Sequence, residues 1–585
     1  MQRRPRPGPK GGAGLRPSSR TLGRPDAPTA RPPGTLGLGR TLYRRTIGST
    51  LDGAGSRSGY GPTAGRRTEQ HNVTHLWRYA GAALLGVSLV AAFPPYDLWF
   101  VAVLVPAAFA LLVRGQPLKR SALLGYLFGA GFFLPLLDWT GMEVGPIPWI
   151  ILALFEALFF IPLALGLTLV QRLPGWPVWT AAVWVADEAV RGRLPYGGFT
   201  WGKLAFSQAD SPMLGLVSWA GTPGLSFAVA LAGGLLAWVV VERRLWVRAA
   251  AAAGAVAVVV APLLIQPMEP DGDTVTVAIV QGNVPAEGLA YNDEKRAITR
   301  NHVEATQRLA DDVEAGRVER PDVVVWPENS SDISPFHDAD TYRAIDGAVR
   351  AIGVPTLISA IVPTDDGRNV HNTSILWDPV SGPGDTYVKR HPMPFGEYIP
   401  FRSIAERITD AVNQQPRDHL PGDRVGIFRV GDTVIGDVIC FEVAFDGIVR
   451  DAVIDGGQFL TVQTNNATFG RTEMTEQQLA QSRVRAFEHG RTVLVSALAG
   501  VSAVVAPDGS VQDRAELFTQ DVIVTEVPLA DGLTPATRVG AWPEWIITAL
   551  GLGAVALVVV DARRSRRATA PVADEPRPPV EAGVP

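Results

Sequence analysis

Eight apolar stretches limit what this chain can fold into. Seven follow one another near 76–93, 98–113, 121–138, 148–170, 175–190, 213–241 and 245–265, and an eighth stands apart at 543–561. Each approaches the ~20 residues that carry a helix across a ~30 Å hydrocarbon core. With 47% hydrophobic and only 19% charged residues, the chain has the composition of a protein partly in lipid. The expected arrangement is a polytopic α-helical membrane domain at 76–265, an eighth span at 543–561, and a segment without such runs between them.

Basic residues in the short loops give the orientation. Arg114, Lys119 and Arg120 lie between the second and third spans, Arg172 between the fourth and fifth, Arg243 and Arg244 between the sixth and seventh, and Arg563, Arg564, Arg566 and Arg567 after the eighth. All fall on one side if the amino terminus is cytoplasmic, while Arg191, Arg193 and Lys203 form a minority on the other. Both termini are then cytoplasmic and residues 266–541 lie outside the cytoplasm. Residues 1–72 hold 14 Arg or Lys against 3 Asp or Glu, without an apolar period. Residues 1–75 therefore read as a disordered basic cytoplasmic tail held near anionic lipid, in preference to a nucleic-acid-binding arm. They lack the apolar core and cleavage site of a signal peptide, so the first span is expected to remain as an anchor. Residues 562–585 form a second cytoplasmic tail.

The intervening segment reads as a soluble α/β domain over 274–531. Short β-branched runs at Val275–Val280, Val323–Trp326, Thr356–Ile361, Val434–Ile439, Phe459–Thr464, Thr492–Ala497 and Ser502–Ala506 predict buried strands. Helical patterns at Asp293–Ala315 and Met474–His489 lie between some of them.

The chain has one cysteine, Cys440, which excludes an intramolecular disulfide, a multi-Cys zinc site and an iron–sulfur cluster. Lysine is nearly as scarce, with five residues among 53 basic ones. Three predicted strand ends carry reactive groups: Glu328 after Val323–Trp326, Lys389 after Tyr387-Val388, and Cys440 after Val438-Ile439. Singly, Cys440 reads as a small core residue, Glu328 as a helix cap and Lys389 as half of a solvated pair with Arg390. Together they supply a nucleophile, a base and a positive charge for a developing oxyanion. His371, His391 and His489 lack metal-ligand spacing, so no metal site is expected.

The order Trp326-Pro327-Glu328, Lys389-Arg390-His391, Pro394-Phe395-Gly396-Glu397-Tyr398-Ile399-Pro400, Cys440-Phe441-Glu442 and Asn465-Asn466-Ala467-Thr468-Phe469-Gly470 resembles the nitrilase, or carbon–nitrogen hydrolase, superfamily. Within it, the eight-span frame and the Pro394–Pro400 string resemble the apolipoprotein N-acyltransferase family, actinobacterial members above all. The resemblance covers about residues 76–562. It implies a nitrilase-like four-layer α-β-β-α sandwich on the outer face of a bacterial cell membrane. It further implies Glu328 as general base, Lys389 as stabiliser of the tetrahedral intermediate, Cys440 as nucleophile and Glu397 as a second essential acid. Glu442 and Phe441 would support the site, and Tyr291 would contact lipid. The implied reaction takes an acyl chain from a phospholipid, holds it as a thioester and transfers it to the α-amine of a diacylglyceryl-cysteine in an apolipoprotein, with no metal and no cofactor. The expected state is a monomer that binds no nucleic acid.

The pattern departs from proteobacterial relatives where Phe441 replaces Tyr and Thr468 replaces Trp. The first exchange costs a hydroxyl; the second removes an aromatic wall near the expected lipid entry. The alternative activity is a membrane-tethered amidase in which water resolves the thioester, and a scaffold with a dead site disagrees with an intact Glu328, Lys389 and Cys440. In the membrane part, Glu156, Asp187 and Glu188 would be costly facing lipid and should face the bundle, either as a proton path or paired with Arg191 or Arg193. Pro195–Gly202 resembles the family's loop after the fifth span, and Ala232-Gly233-Gly234 suggests close helix packing.

Overall fold

The computed structural model describes residues 64–284, 295–394, 396–400, 402–407 and 416–568. Its first nine helices are α1 Ala64–Val90, α2 Val101–Val113, α3 Leu118–Leu136, α4 Thr140–Val144, α5 Pro146–Glu156, α6 Phe160–Val170, α7 Trp176–Arg191, α8 Val217–Val241 and α9 Leu245–Val260. A helical turn, Ala157–Phe159, joins α5 to α6, so Pro146–Val170 runs as one apolar span. That span, Leu214–Val241, Leu245–Leu264 and Trp542–Ser565 are each long and apolar enough to cross a membrane. Leu76–Val90 and Val101–Val113 are shorter apolar helices, and α3 and α7 occupy the remaining two stretches of the sequence reading.

Small residues let these helices meet backbone to backbone. A Cβ on Gly233 of α8 would stand 2.6 Å from the carbonyl oxygen of Val103 in α2, and one on Gly234 would stand 3.1 Å from Pro177 in α7. The Ala232-Gly233-Gly234 string is thus a packing contact. The three carboxylates of this region are buried. Glu156 faces Arg191 at 3.6 Å, and Glu188 Oε1 accepts from Leu204 N at 2.9 Å. The other two cations of the minority side also meet carboxylates, Arg193 pairing with Glu544 and Lys203 with Asp446 at 2.7 Å.

Residues 274–528 then build two sheets. The strands are β1 Thr274–Gln281, β2 Val323–Val325, β3 Thr356–Pro363, β4 Val370–Asp378, β5 Gly382–Val388, β6 Ile427–Val430, β7 Thr433–Ile439, β8 Phe459–Thr464, β9 Val493–Ala497, β10 Ala503–Val505, β11 Val511–Arg514 and β12 Asp521–Pro528. One sheet runs β12-β1-β2-β3-β4-β5 and the other β11-β10-β9-β8-β7-β6. In each, the parallel pairs are central, β1-β2-β3 and β7-β8-β9, and antiparallel strands flank them.

Strand alternation sorts the apolar side chains into layers. Val277, Ile279, Val323, Val325 and Leu357 point inward to meet Ile435, Ile439 and Phe459 of the other sheet. Their neighbours Ala278, Val280, Val324 and Ile358 point outward, under α10 Lys295–Glu314 and α11 Ala339–Ile352. A short helix, α12 Arg402–Ala405, lies outside these layers in the chain that follows β5. Across the second sheet, Val438, Leu460 and Val462 lie under α13 Asp446–Ile454 and α14 Met474–His489. The result is the four-layer α-β-β-α sandwich. A buried polar seam links the sheets: Ser374 Oγ lies 2.7 Å from Asp437 Oδ2, and Gln463 Nε2 donates to Trp326 O at 2.5 Å. The chain leaves through α15 Pro535–Val539 into α16 Trp542–Ala568, which packs along α7.

Arg485 of α14 joins the sandwich to the membrane helices at an ionic node. Fully buried, it donates to Val443 O at 2.8 Å, Asp446 Oδ1 at 2.7 Å and Glu488 Oε2 at 2.5 Å. Asp446 in turn accepts from Lys203 and from Thr222 of α8. Removing one partner of a buried pair leaves an uncompensated charge, so Arg485→Met should lose about 3 kcal/mol. A clear fall in melting temperature in detergent would register this, and an unchanged value would contradict it.

Candidate active site

Each reactive side chain sits just beyond a strand. Glu328 lies three residues past β2, Lys389 directly after β5, Cys440 directly after β7 and Asn465 directly after β8. Strands β2 and β5 belong to one sheet, β7 and β8 to the other, so the site spans both.

Lys389, 1% exposed, is the electrostatic centre. Its Nζ lies 2.9 Å from Glu328 Oε1 and 2.8 Å from Glu397 Oε2. Asn372 of β4 braces the two acids, its Nδ2 donating to Glu328 Oε1 at 2.7 Å and to Glu397 Oε1 at 2.9 Å. Backbone amides complete the cage, Asn465 N donating to Glu328 Oε2 at 2.8 Å and Met393 N to Glu397 Oε2 at 2.7 Å. His419 Nδ1 stands 3.2 Å from Glu397 Oε1. Burial by itself would lower the lysine, but Glu328 and Glu397 outweigh it and hold the ammonium well above its ordinary value. Burial would likewise raise Glu397, yet Lys389 and His419 hold that carboxyl well below the usual range.

The thiol is presented on a strained turn. Cys440 has φ 53° and opens a tight helical turn, Cys440–Ala444, so the chain turns abruptly at the thiol after β7. A side chain in this left-handed region costs about 1–2 kcal/mol and persists where its surroundings over-determine it. Glu442 is one such surrounding. Fully buried, it accepts from Ile439 N at 2.8 Å, Arg390 N at 2.6 Å, His391 N at 3.0 Å and the Tyr387 hydroxyl at 2.8 Å. This carboxylate therefore ties the thiol's turn to the strand end that bears Lys389. Thr464 Oγ1 lies 3.3 Å from Cys440 Sγ, and Gln478 Nε2 lies 3.6 Å from it. Burial pushes the Cys440 thiol up to about 12, with Glu328 adding to the rise and Lys389 opposing it.

Aromatic rings from the loops that join the apolar helices complete the surroundings. Phe441 lies 5.9 Å from Trp201 at an interplanar angle of 15°, and 5.7 Å from Phe199. Trp139 meets Trp201 at 5.2 Å and Phe469 at 5.1 Å. Thr468 is buried in the turn Ala467–Phe469, next to that ring pair. The Phe441 ring also meets Phe445 and His391.

The structure brings together Glu328, Lys389, Glu397 and Cys440, with Phe441 and Glu442 beside them. Tyr291 lies outside the described residues. The sequence reading missed Asn372, Tyr387, His419, Thr464 and Gln478. Asn372 lies on an edgeward strand it did not predict, Tyr387 in a strand end it read only for the lysine that follows, and Gln478 within a helix it did predict, with no signal of what it faces. Among the described residues, no group of three His, Cys, Asp or Glu side chains converges as a metal-ligand set.

Comparison with known proteins follows the same division. Residues 85–235 match the apolipoprotein N-acyltransferase N-terminal domain, and residues 276–532 match carbon-nitrogen hydrolase. An apolipoprotein N-acyltransferase of Mycolicibacterium smegmatis is 38% identical over 500 residues, 81% of this chain and 84% of that one. The chain belongs to the apolipoprotein N-acyltransferase family. A further family member, from Ralstonia nicotianae, is 31% identical across 84% of this chain and 94% of its own. Among solved structures, an alanine mutant of the Nesterenkonia AN1 amidase from the nitrilase superfamily covers 47% of this chain and 96% of its own, at 19% identity and a TM-score of 0.35.

The raised thiol gives a pH signature that a single-cysteine chain makes easy to read. Below its pKa a thiol gains thiolate tenfold per pH unit, and the thiolate is the reactive form. Alkylation of Cys440 by iodoacetamide should therefore keep rising between about pH 7 and 10, where an ordinary thiol levels off. A plateau at or below pH 9, the ordinary value, would contradict the raised pKa.

Proposed function

We propose that this chain transfers a fatty acyl chain from a membrane phospholipid to the N-terminal α-amine of diacylglyceryl-cysteine in apolipoproteins, through a thioester on Cys440. The observation that carries the reading is the buried Lys389 ammonium between Glu328 and Glu397, beside the one thiol of the chain. Family membership supports the substrates, and the long apolar helices support a bacterial membrane setting. In this reading residues 76–265 and 543–561 form the membrane domain, both termini are cytoplasmic, and the sandwich works at the outer face.

In the first half-reaction Glu328 takes the Cys440 proton as Sγ bonds to the ester carbonyl carbon. The oxyanion that forms is met by the Lys389 ammonium, where a fixed charge stabilises it most. Collapse breaks the ester C–O bond, and the leaving glycerol oxygen takes the proton from Glu328 as lysophospholipid departs. In the second half-reaction the lipoprotein amine attacks the thioester carbonyl, Glu328 relays the amine proton to the departing sulfur, and an amide results. The raised resting thiol suits this order: the proton leaves as the S–C bond forms, so no exposed thiolate stands idle between turnovers.

The experiment incubates the purified protein with phospholipid alone and reads the acyl adduct on Cys440 by peptide mass spectrometry. The expected adduct survives in buffer and discharges on adding a diacylglyceryl-cysteine peptide. Its absence, with hydrolysis of small amides in its place, would favour the tethered amidase. Cys440→Ala should abolish the adduct. Lys389→Arg should lower its formation by at least about 100-fold, since a planar guanidinium cannot occupy the place of a compact ammonium between two carboxylates. Turnover near the parent's by either variant would overturn the assignment.

A further inference from the structure

Arg191 ends α7 where the membrane helices meet the sandwich, and it is 2% exposed. Its NH1 group donates to Phe199 O at 2.8 Å and to Trp201 O at 2.7 Å, while its own carbonyl accepts from Phe199 N at 2.9 Å. One residue thus holds the loop after α7 by side chain and backbone together. The loop closes tightly against the helix end: a Cβ on Gly198, whose φ is +83°, would stand 2.1 Å from the carbonyl carbon of Gly192.

A buried guanidinium needs a counter-charge, and Glu156 supplies it. The contact is 3.6 Å, too long for a hydrogen bond, and among the described residues Glu156 Oε2 has no hydrogen-bond partner. An arginine placed only to neutralise Glu156 would form the short bidentate pair that guanidinium and carboxylate favour. This one directs its donors to two loop carbonyls.

Those carbonyls belong to the residues whose rings contain Phe441, the neighbour of the nucleophile. Trp201 Nε1 also donates to Gln477 Oε1 at 2.6 Å, and the next residue, Gln478, lies against Cys440 Sγ. From Arg191, contacts therefore reach the thiol by two routes, through the residue that follows it in the chain and through the amide beside its sulfur. Cys440 holds a left-handed conformation that relaxes unless its surroundings prevent it.

We propose that Arg191 is a positioning residue for Cys440, holding the aromatic wall of Phe199 and Trp201 so that the strained thiol stays aligned for acyl attack. The inference rests on the acyl-transfer reading above. Misplacing a reacting atom by about 1 Å can cost on the order of 100-fold in rate, so a released wall should act on the rate of thioester formation.

Rapid-quench mass spectrometry on the full-length protein in phospholipid-containing micelles separates two quantities. The amplitude of Cys440 acylation counts folded sites, and the rate constant reports alignment. Arg191→Gln is expected to keep the parent's amplitude and lower the rate constant about 30-fold. Arg191→Lys, which keeps the charge but reaches fewer acceptors, should fall between and carries the test if the Gln variant does not fold. Glu156→Gln should melt at a lower temperature with a rate constant close to the parent's. An unchanged rate constant in both Arg191 variants, a loss confined to amplitude, or an equal loss of rate in Glu156→Gln would overturn the proposal. Failure of the parent itself to form the thioester would instead overturn the acyl-transfer reading and this inference with it.

Discussion

A lysine ammonium shut away from water between two glutamates is the constraint on which the arrangement depends. Each ion of such a group costs several kcal/mol to desolvate, and only close, saturated contacts offset that cost. Glu328, Lys389 and Glu397 meet this demand with Asn372, two backbone amides and His419. One of those amides, Asn465 N, comes from the opposite sheet. Misregister of the sandwich would therefore leave a charge unpaired, which couples the fold of both sheets to the integrity of the site. Two carboxylates around one ammonium also leave the cage net negative if both are ionised, a charge balance that agrees with a thiol that rests protonated.

The Cys440 thiol is held by a second, separate set of contacts. Glu442 binds four donors from two places in the chain and anchors the turn at its base, while the Phe441 ring meets aromatics from the loop after α7. The first set belongs to the sandwich alone. The second reaches into the loop between α7 and α8, so the apolar helical region contributes directly to the surroundings of the Cys440 turn. The ionic node of Lys203, Asp446, Arg485 and Glu488 fastens the same junction a few residues further along.

Much of the sandwich was legible because its central strands are buried on both faces. Runs such as Val323–Val325 and Phe459–Thr464 are uniformly buried, and a continuous apolar or β-branched run announces such a strand. The strands missed, β4, β6, β11, β12 and all of β5 but its Tyr387-Val388 end, lie toward sheet edges with mixed burial, where polar residues such as Asp385 and Gln512 break the pattern. That gap hid Asn372 along with the strand that carries it. Glu328, Lys389 and Cys440 were legible for a different reason: each is a rare or charged group at the end of an apolar run, and their order along the chain matches a family.

The sequence by itself determined the division into apolar spans and an α/β segment, the central strands and Cys440 as the one thiol of the chain, because these follow from local periodicity and from scarcity. Tertiary structure decided which groups meet. Trp201 and Gln477 are 276 residues apart in the chain and share a hydrogen bond, and Asn465 and Glu328 are 137 apart. Such contacts arise when packing two sheets and a helical bundle brings distant polar groups into a space without water, where each must find a partner. The same burial lifts the thiol and opposes the lysine's charge, which Glu328 and Glu397 restore, so the chemistry of the site belongs to the assembled interior rather than to any one motif.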